Sequence, residues 1–267
     1  MPRFIVMVGP AGSGKSTLTG ELARVMEDYG ATVARVNFDP AAEVVPYEAD
    51  VDVRDYVTAS EIMEKEGLGP NGALVVAVDS LISYVSDIRG RIDEIDPDYV
   101  ILDTPGQLEL FAYRAGGPLV LEALVLDNQA ATVFLADAIF MENPASMVSI
   151  FTLASSVAVR LKRPQVNVIS RSDLLAQEAY EVIERIPEDG FLTGLVEADE
   201  RLPGDLRMLS QLLSDALYQA GFLGGLIPVS VKDPDSLAML YARLQQVLAA
   251  GDDYAFYDLK YGQPDEY

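Results

Sequence analysis

The chain has 267 residues, half of them hydrophobic, and a formal net charge of −23, with 42 acidic side chains against 19 basic ones. That composition describes a folded chain rather than a disordered one, and so acidic a surface argues against direct binding to nucleic-acid backbones. It contains no cysteine and no histidine, which excludes disulfides, thiol nucleophiles, zinc clusters and imidazole acid/base chemistry.

The amino terminus, MPRFIVMVGP, enters an apolar run at once, without the pattern of a signal peptide. No uninterrupted apolar stretch of about 18 residues follows, so the expectation is a cytoplasmic protein with no membrane span. Apolar runs with the character of strands recur at 4–8, 32–36, 100–102, 131–135, 165–169 and 226–229. Helix-length amphipathic segments lie between them at 16–29, 72–91, 144–161, 205–220 and 234–248. Short apolar strands alternating with helices predict a doubly wound α/β fold, because each parallel crossover needs a connection about as long as a helix. Large sheets of this kind commonly span about 200 to 250 residues as one unit, so residues 1–251 are expected to form a single domain. Residues 40–72 and the acidic, turn-rich stretch 178–203 read as insertions, and residues 252–267, with four tyrosines, read as a tail.

Residues 9–16 read GPAGSGKS, the G-x-x-x-x-G-K-[ST] pattern, placed directly after a strand and before a helix. This is the phosphate loop of a P-loop nucleotide triphosphatase. Gly9, Gly12 and Gly14 let the backbone wrap the phosphates with N–H groups pointing inward, those of Gly12, Ser13 and Gly14 being expected contacts, and the helix behind them adds its positive end. Lys15, expected as an exposed loop lysine, reaches the β- and γ-phosphates; Ser16 binds Mg²⁺ and Thr17 contacts the α-phosphate.

Asp103 ends the run YVIL and opens DTPGQ, at the strand tip where such sheets bind ligands. It is the expected second Mg²⁺ contact, the simpler alternative being a turn or capping residue. Gly106 can offer its amide to the γ-phosphate and shift when that group leaves, and Gln107 can orient the attacking water. Farther on, residues 170–173 read SRSD where GTPases usually carry N-K-x-D. Asp173 would accept from N1 and N2 of guanine, and the Arg171 stem would lie along the base with its guanidinium stacked. Ser230 and Val231, in PVSVK, fit a loop closing over the base; the alternative is that Asp173 and Ser230 only cap helices.

Taken together, these motifs resemble the GPN-loop GTPases, a family defined by a Gly-Pro-Asn tripeptide, which stands here at Gly69-Pro70-Asn71. The resemblance rests also on GPAGSGKST, on Asn37-Phe-Asp39-Pro-Ala-Ala-Glu43 with Pro46-Tyr47, and on DTPGQLELF. It implies a GTP hydrolase using Mg²⁺, and a homodimer in which Asn71 of one chain faces the other chain's active site. It further implies that Asp39 lies near the metal and the attacking water, with Gln107 and Glu109 helping to place that water. Related eukaryotic proteins are associated with RNA polymerase assembly, which makes such assembly factors the implied clients. Two alternatives stay open: an assembly or chaperone module with very slow turnover, and a P-loop kinase, although the acidic 178–203 segment holds only Arg185 and Arg201 to serve as a lid over an acceptor.

Overall fold

The computed structural model describes residues 1–249; the tail expected at 252–267 lies outside them. Seven parallel strands form the sheet, in the order β3-β2-β4-β1-β5-β6-β7. They are β1 (Arg3–Val8), β2 (Val33–Asn37), β3 (Val51–Asp52), β4 (Tyr99–Asp103), β5 (Ala130–Asp137), β6 (Gln165–Ser170) and β7 (Ile227–Val229). Strand β1 lies at the centre, and its alternate side chains serve opposite faces. Phe4, Val6 and Val8 join one hydrophobic layer, Ile5 and Met7 the other, and all five are fully buried.

The second of these layers is covered by α1 (Lys15–Asp28) and α11 (Pro234–Ala249). The first is covered by α2 (Ala59–Glu66), α3 (Pro70–Ser80), α4 (Val85–Ile95), α5 (Leu108–Phe111), α6 (Gly116–Val125) and α7 (Pro144–Leu161), with α8 (Gln177–Arg185), α9 (Phe191–Ala198) and α10 (Gly204–Gln219) beyond them. Helix α7 occupies the predicted span because Asn143 caps it, its Oδ1 accepting from the Ser146 N–H at 2.9 Å, with Pro144 in the first turn.

The structure departs from the sequence reading in four places. The expected helix 72–91 is two helices joined by a 3₁₀ turn at Leu81–Tyr84. Just before the break, Ser80 Oγ donates to the Val76 carbonyl at 2.7 Å, the back-bonding that bends helices. Residues 178–203 are built mainly from α8 and α9, separated at Gly190, which takes a left-handed φ of 70°. Residues 40–72 contribute β3, a strand too short to show a period. Finally, the segments Pro70–Ile95 and Pro144–Leu161 are long and apolar enough by composition to span a membrane, with mean hydropathy 1.2 and 1.4. Each nevertheless packs its apolar face on the sheet through residues such as Leu74, Ile88, Phe151 and Val157.

Sheet register brings the tips of the strands together. Met7 pairs with Asp103, and Asp103 with Asn37; Asp137 pairs with Ser170, and Ser170 with Val229. The carboxyl edge therefore collects most of the polar residues picked out in the sequence, at the point where connections leave β1 in both directions.

Candidate functional site

The loop between β1 and α1 wraps Lys15. Gly12 and Gly14 take φ values of 77° and 89°, which side-chain-bearing residues rarely adopt, and Gly14 begins α1 directly. Lys15 is only 5% exposed, contrary to the expectation of an exposed loop lysine. Its Nζ donates to the carbonyls of Gly9 (3.0 Å) and Pro10 (3.1 Å), bonds the closed loop makes possible. Burial holds the ammonium below its ordinary pKa, against the pull of Asp103 and Asp39.

Asp103 is 2% exposed. One carboxylate oxygen accepts from the Tyr47 hydroxyl at 3.1 Å, and the Ser16 hydroxyl stands close enough to favour the ionised form of the group. Its other oxygen, Oδ1, is buried with no hydrogen-bond partner. These contacts are not those of a capping residue. Burial raises the Asp103 pKa, and burial likewise raises that of Asp39, which faces Lys15 and the Gly106 amide. A buried carboxylate with an orphaned oxygen beside a serine hydroxyl is a donor set for a hard cation. Among the described residues no group of three or more carboxylates could hold an ion unaided, so a cation held here would need further oxygen ligands from outside the chain.

Gly106 lies against the phosphate loop: a Cβ there would stand 3.4 Å from Ala11 Cα and 3.8 Å from Lys15 Nζ. Thr104 fixes the start of this segment, its hydroxyl donating to the Met7 carbonyl at 2.6 Å. Gln107 occupies the position before α5 and Glu109 is exposed in its first turn. Among the described residues no side-chain hydrogen bond joins Gln107, Glu109 or Asn71 to Lys15, Asp39 or Asp103. Asn71 is exposed at the start of α3. There Gly69-Pro70-Asn71 is a helix N-terminus, with proline in the first helical turn, where its missing N–H is not needed.

A second pocket, with about 680 Å³ of open space, adjoins the loop and is lined by Ser13, Gly14, Thr17, Ser170, Arg171, Asp173, Val231 and Lys232, among others. Ser170 is buried and its hydroxyl donates to the Ser13 carbonyl at 2.8 Å, latching β6 to the phosphate loop. Asp173 accepts from Ser230 Oγ at 2.8 Å and from Lys232 Nζ at 2.6 Å. The lysine first, then the serine, holds its pKa below the usual range. Both acidic and hydroxyl side chains therefore bond across loops instead of capping helices. Arg171, in a left-handed conformation (φ 56°), lines this pocket and pairs with Asp137. Asp137, buried at the tip of β5, escaped the sequence reading because its partner is 34 residues away. Lys232 was legible only as part of PVSVK, and its pairing with Asp173 depends on the order of β6 and β7.

A family model described as a conserved hypothetical ATP binding protein matches residues 7–250. The chain is 36% identical over 204 residues to GPN-loop GTPase PAB0955 of Pyrococcus abyssi, covering 75% of this chain and 80% of that protein. It is 35% identical over 182 residues to GPN-loop GTPase 3 of Dictyostelium discoideum, covering 67% of this chain and 64% of that relative. The crystal structure of PAB0955, a GTPase in apo form, superposes with a TM-score of 0.79 at 31% identity, covering 92% of this chain and 97% of that one. With Gly69-Pro70-Asn71 present and the phosphate loop closed around Lys15, the chain belongs to the GPN-loop GTPase family.

Proposed function

We propose that this GTPase binds GTP with Mg²⁺ and hydrolyses it to GDP and phosphate, acting in the cytoplasm as a homodimeric switch. The convergence of Lys15, Asp39, Asp103 and the Gly106 amide at one edge of the sheet carries this reading. Lys15, already desolvated, exchanges two carbonyl partners for β- and γ-phosphate oxygens. Ser16 and Asp103 would hold the Mg²⁺, which when bound would supply positive charge against the phosphates. Asp39 orients the attacking water, and Gly106 offers its N–H to the γ-phosphate and is released when that group departs. On the base side, Asp173 accepts from guanine N1 and N2 once Lys232 yields its place. That carboxylate favours guanine over the adenine suggested by the wording of the family description.

The deciding experiment measures phosphate release from GTP and from ATP with Mg²⁺, for the native protein and for Lys15→Ala. GTP should be hydrolysed in preference, and the variant should lose triphosphate binding at least about a hundredfold while keeping its fold, since it loses a charge-assisted phosphate contact rather than core packing. Unchanged GTP affinity in Lys15→Ala would defeat the assignment. Transfer of the γ-phosphate to an added nucleotide, in place of release, would make the protein a kinase.

A further inference from the structure

Strand β3 is two residues long, too short to add much to the sheet, yet its register is specific: Val51 pairs with Val36 and Asp52 with Asn37. Val51 and Val53, respectively 1% and 0% exposed, anchor it on either side of Asp52. The outcome is a line of hydrogen bonds from the sheet edge to Asp39. Asn37, fully buried at the tip of β2, donates through Nδ2 to Asp52 Oδ1 at 2.9 Å and accepts the Asp39 N–H at 3.2 Å. Asp52 in turn is gripped by Arg54, whose Nε donates to both carboxylate oxygens (3.0 and 3.1 Å) and whose Nη2 donates to Oδ2 at 2.6 Å. Burial would raise the Asp52 pKa, but the bonds from Arg54 and Asn37 outweigh it and hold the group ionised.

The guanidinium has a second set of contacts. Its Nη1 donates to the carbonyls of Ala42 (2.9 Å) and Glu43 (3.4 Å), in the segment just after Asp39. Asp39 closes its own turn by accepting the Ala41 N–H at 2.9 Å. The backbone on both sides of Asp39 is thus tied to one arginine, through Asp52 and Asn37 before it and directly after it.

We propose that Arg54 is a positioning residue for hydrolysis, holding Asp39 in place at the phosphate end of the site without touching nucleotide. The proposal rests on the role given to Asp39 above. A fork is needed because one planar cation must satisfy a carboxylate and two carbonyls in different directions, which the single ammonium of lysine cannot reproduce.

The test compares steady-state hydrolysis and GDP affinity for the native protein, Arg54→Lys, Asp39→Asn and the double variant. Arg54→Lys should lower kcat roughly ten- to a hundredfold, the scale of a misplaced catalytic group. Its GDP affinity should stay within about twofold, as for a change outside the binding contacts. The double variant should be no slower than Asp39→Asn alone, because both remove the same function. Losses that multiply, a weakened affinity with kcat intact, or no change in kcat would each overturn the proposal. If Asp39→Asn hydrolyses like the native protein, the role of Asp39 fails and this proposal with it; if only Arg54→Lys is silent, this proposal fails alone. Amide hydrogen exchange in nucleotide-free protein gives an independent readout: the Asp39 and Ala41 amides should exchange faster in Arg54→Lys, and unchanged protection would also overturn it. Should Arg54→Lys not fold, Asp52→Asn serves in the same measurements, since it keeps an oxygen for Asn37 but loses the carboxylate that Arg54 grips.

Discussion

Asp103 and Asp39, one buried carboxylate and one half-buried, sit beside a lysine whose own charge is also disfavoured by burial. Their raised pKa values fix the sign of two pH effects. In the nucleotide-free protein the folded state holds these protons more tightly than the unfolded chain does. The resulting stability is fully present below the unfolded carboxyl pKa, about 4, and is lost as pH rises through the higher folded values. Cation binding has the opposite dependence, because it needs the carboxylate ionised and so displaces a proton. Mg²⁺-dependent GTP affinity should therefore fall as pH drops from neutrality toward the raised Asp103 value, with proton release on binding. Calorimetric titrations in two buffers of different ionisation heat measure that release directly, and equal apparent heats would contradict it. Ser170 shows a different economy at the same scale. Its hydroxyl keeps a latch to the phosphate loop, but a serine carries no side-chain amide to offer the base.

At the scale of elements, the join between α5 and α6 decides whether the DTPGQ segment is held against the body. Gly117 lies so close to the Phe111 carbonyl that a Cβ would meet its oxygen at 2.1 Å, and that oxygen is backbone. A Cβ on Gly116 would meet Asp79 Oδ1 at 1.8 Å, but Asp79 is an exposed side chain able to swing away. Gly117→Ala should destabilise the protein by about 1–3 kcal/mol or more, as overpacking does, and Gly116→Ala by clearly less. Urea unfolding of the two variants checks the order, and equal losses would mean that the backbone relaxes at both. This same join was hard to read in the sequence. Helix α6 opens with Gly116-Gly117-Pro118, residues that ordinarily punctuate turns, and α5 is only four residues long. By contrast α1, α7, α10 and α11 were legible to within a residue at either end, because caps, prolines and amphipathic spacing agree there. In the site, the phosphate loop and Asp103 were legible because their chemistry is local. Arg54, Asp137 and Lys232 were not, since each owes its role to a partner brought alongside by strand order.

For the whole molecule the open question is where Asn71 acts. Helix α3 carries it, exposed, at its N-terminus, and no hydrogen bond ties it to the Lys15 cluster of its own chain among the described residues. The same helix layer leaves apolar side chains in solvent: Val76 on α3 is 38% exposed, Ile82 in the following turn 48%, and Leu119 on α6 55%. Apolar side chains left in solvent on the helices that also carry an exposed Asn71 suit a surface covered by a second copy of the chain, and a two-fold interface would supply two Asn71 residues, one to each site. Lys15→Ala and Asn71→Ala should each be inactive alone. Mixed under conditions that permit subunit exchange, half the dimers pair one variant with the other, and each such dimer holds one composite site with both residues intact. Roughly a quarter of native activity should then return. If Asn71 acts within its own chain, every site in the mixed dimer lacks one of the two residues and mixing restores nothing. Native mass spectrometry of the mixture, by showing that mixed dimers have formed, makes a null result decisive against a trans-acting asparagine.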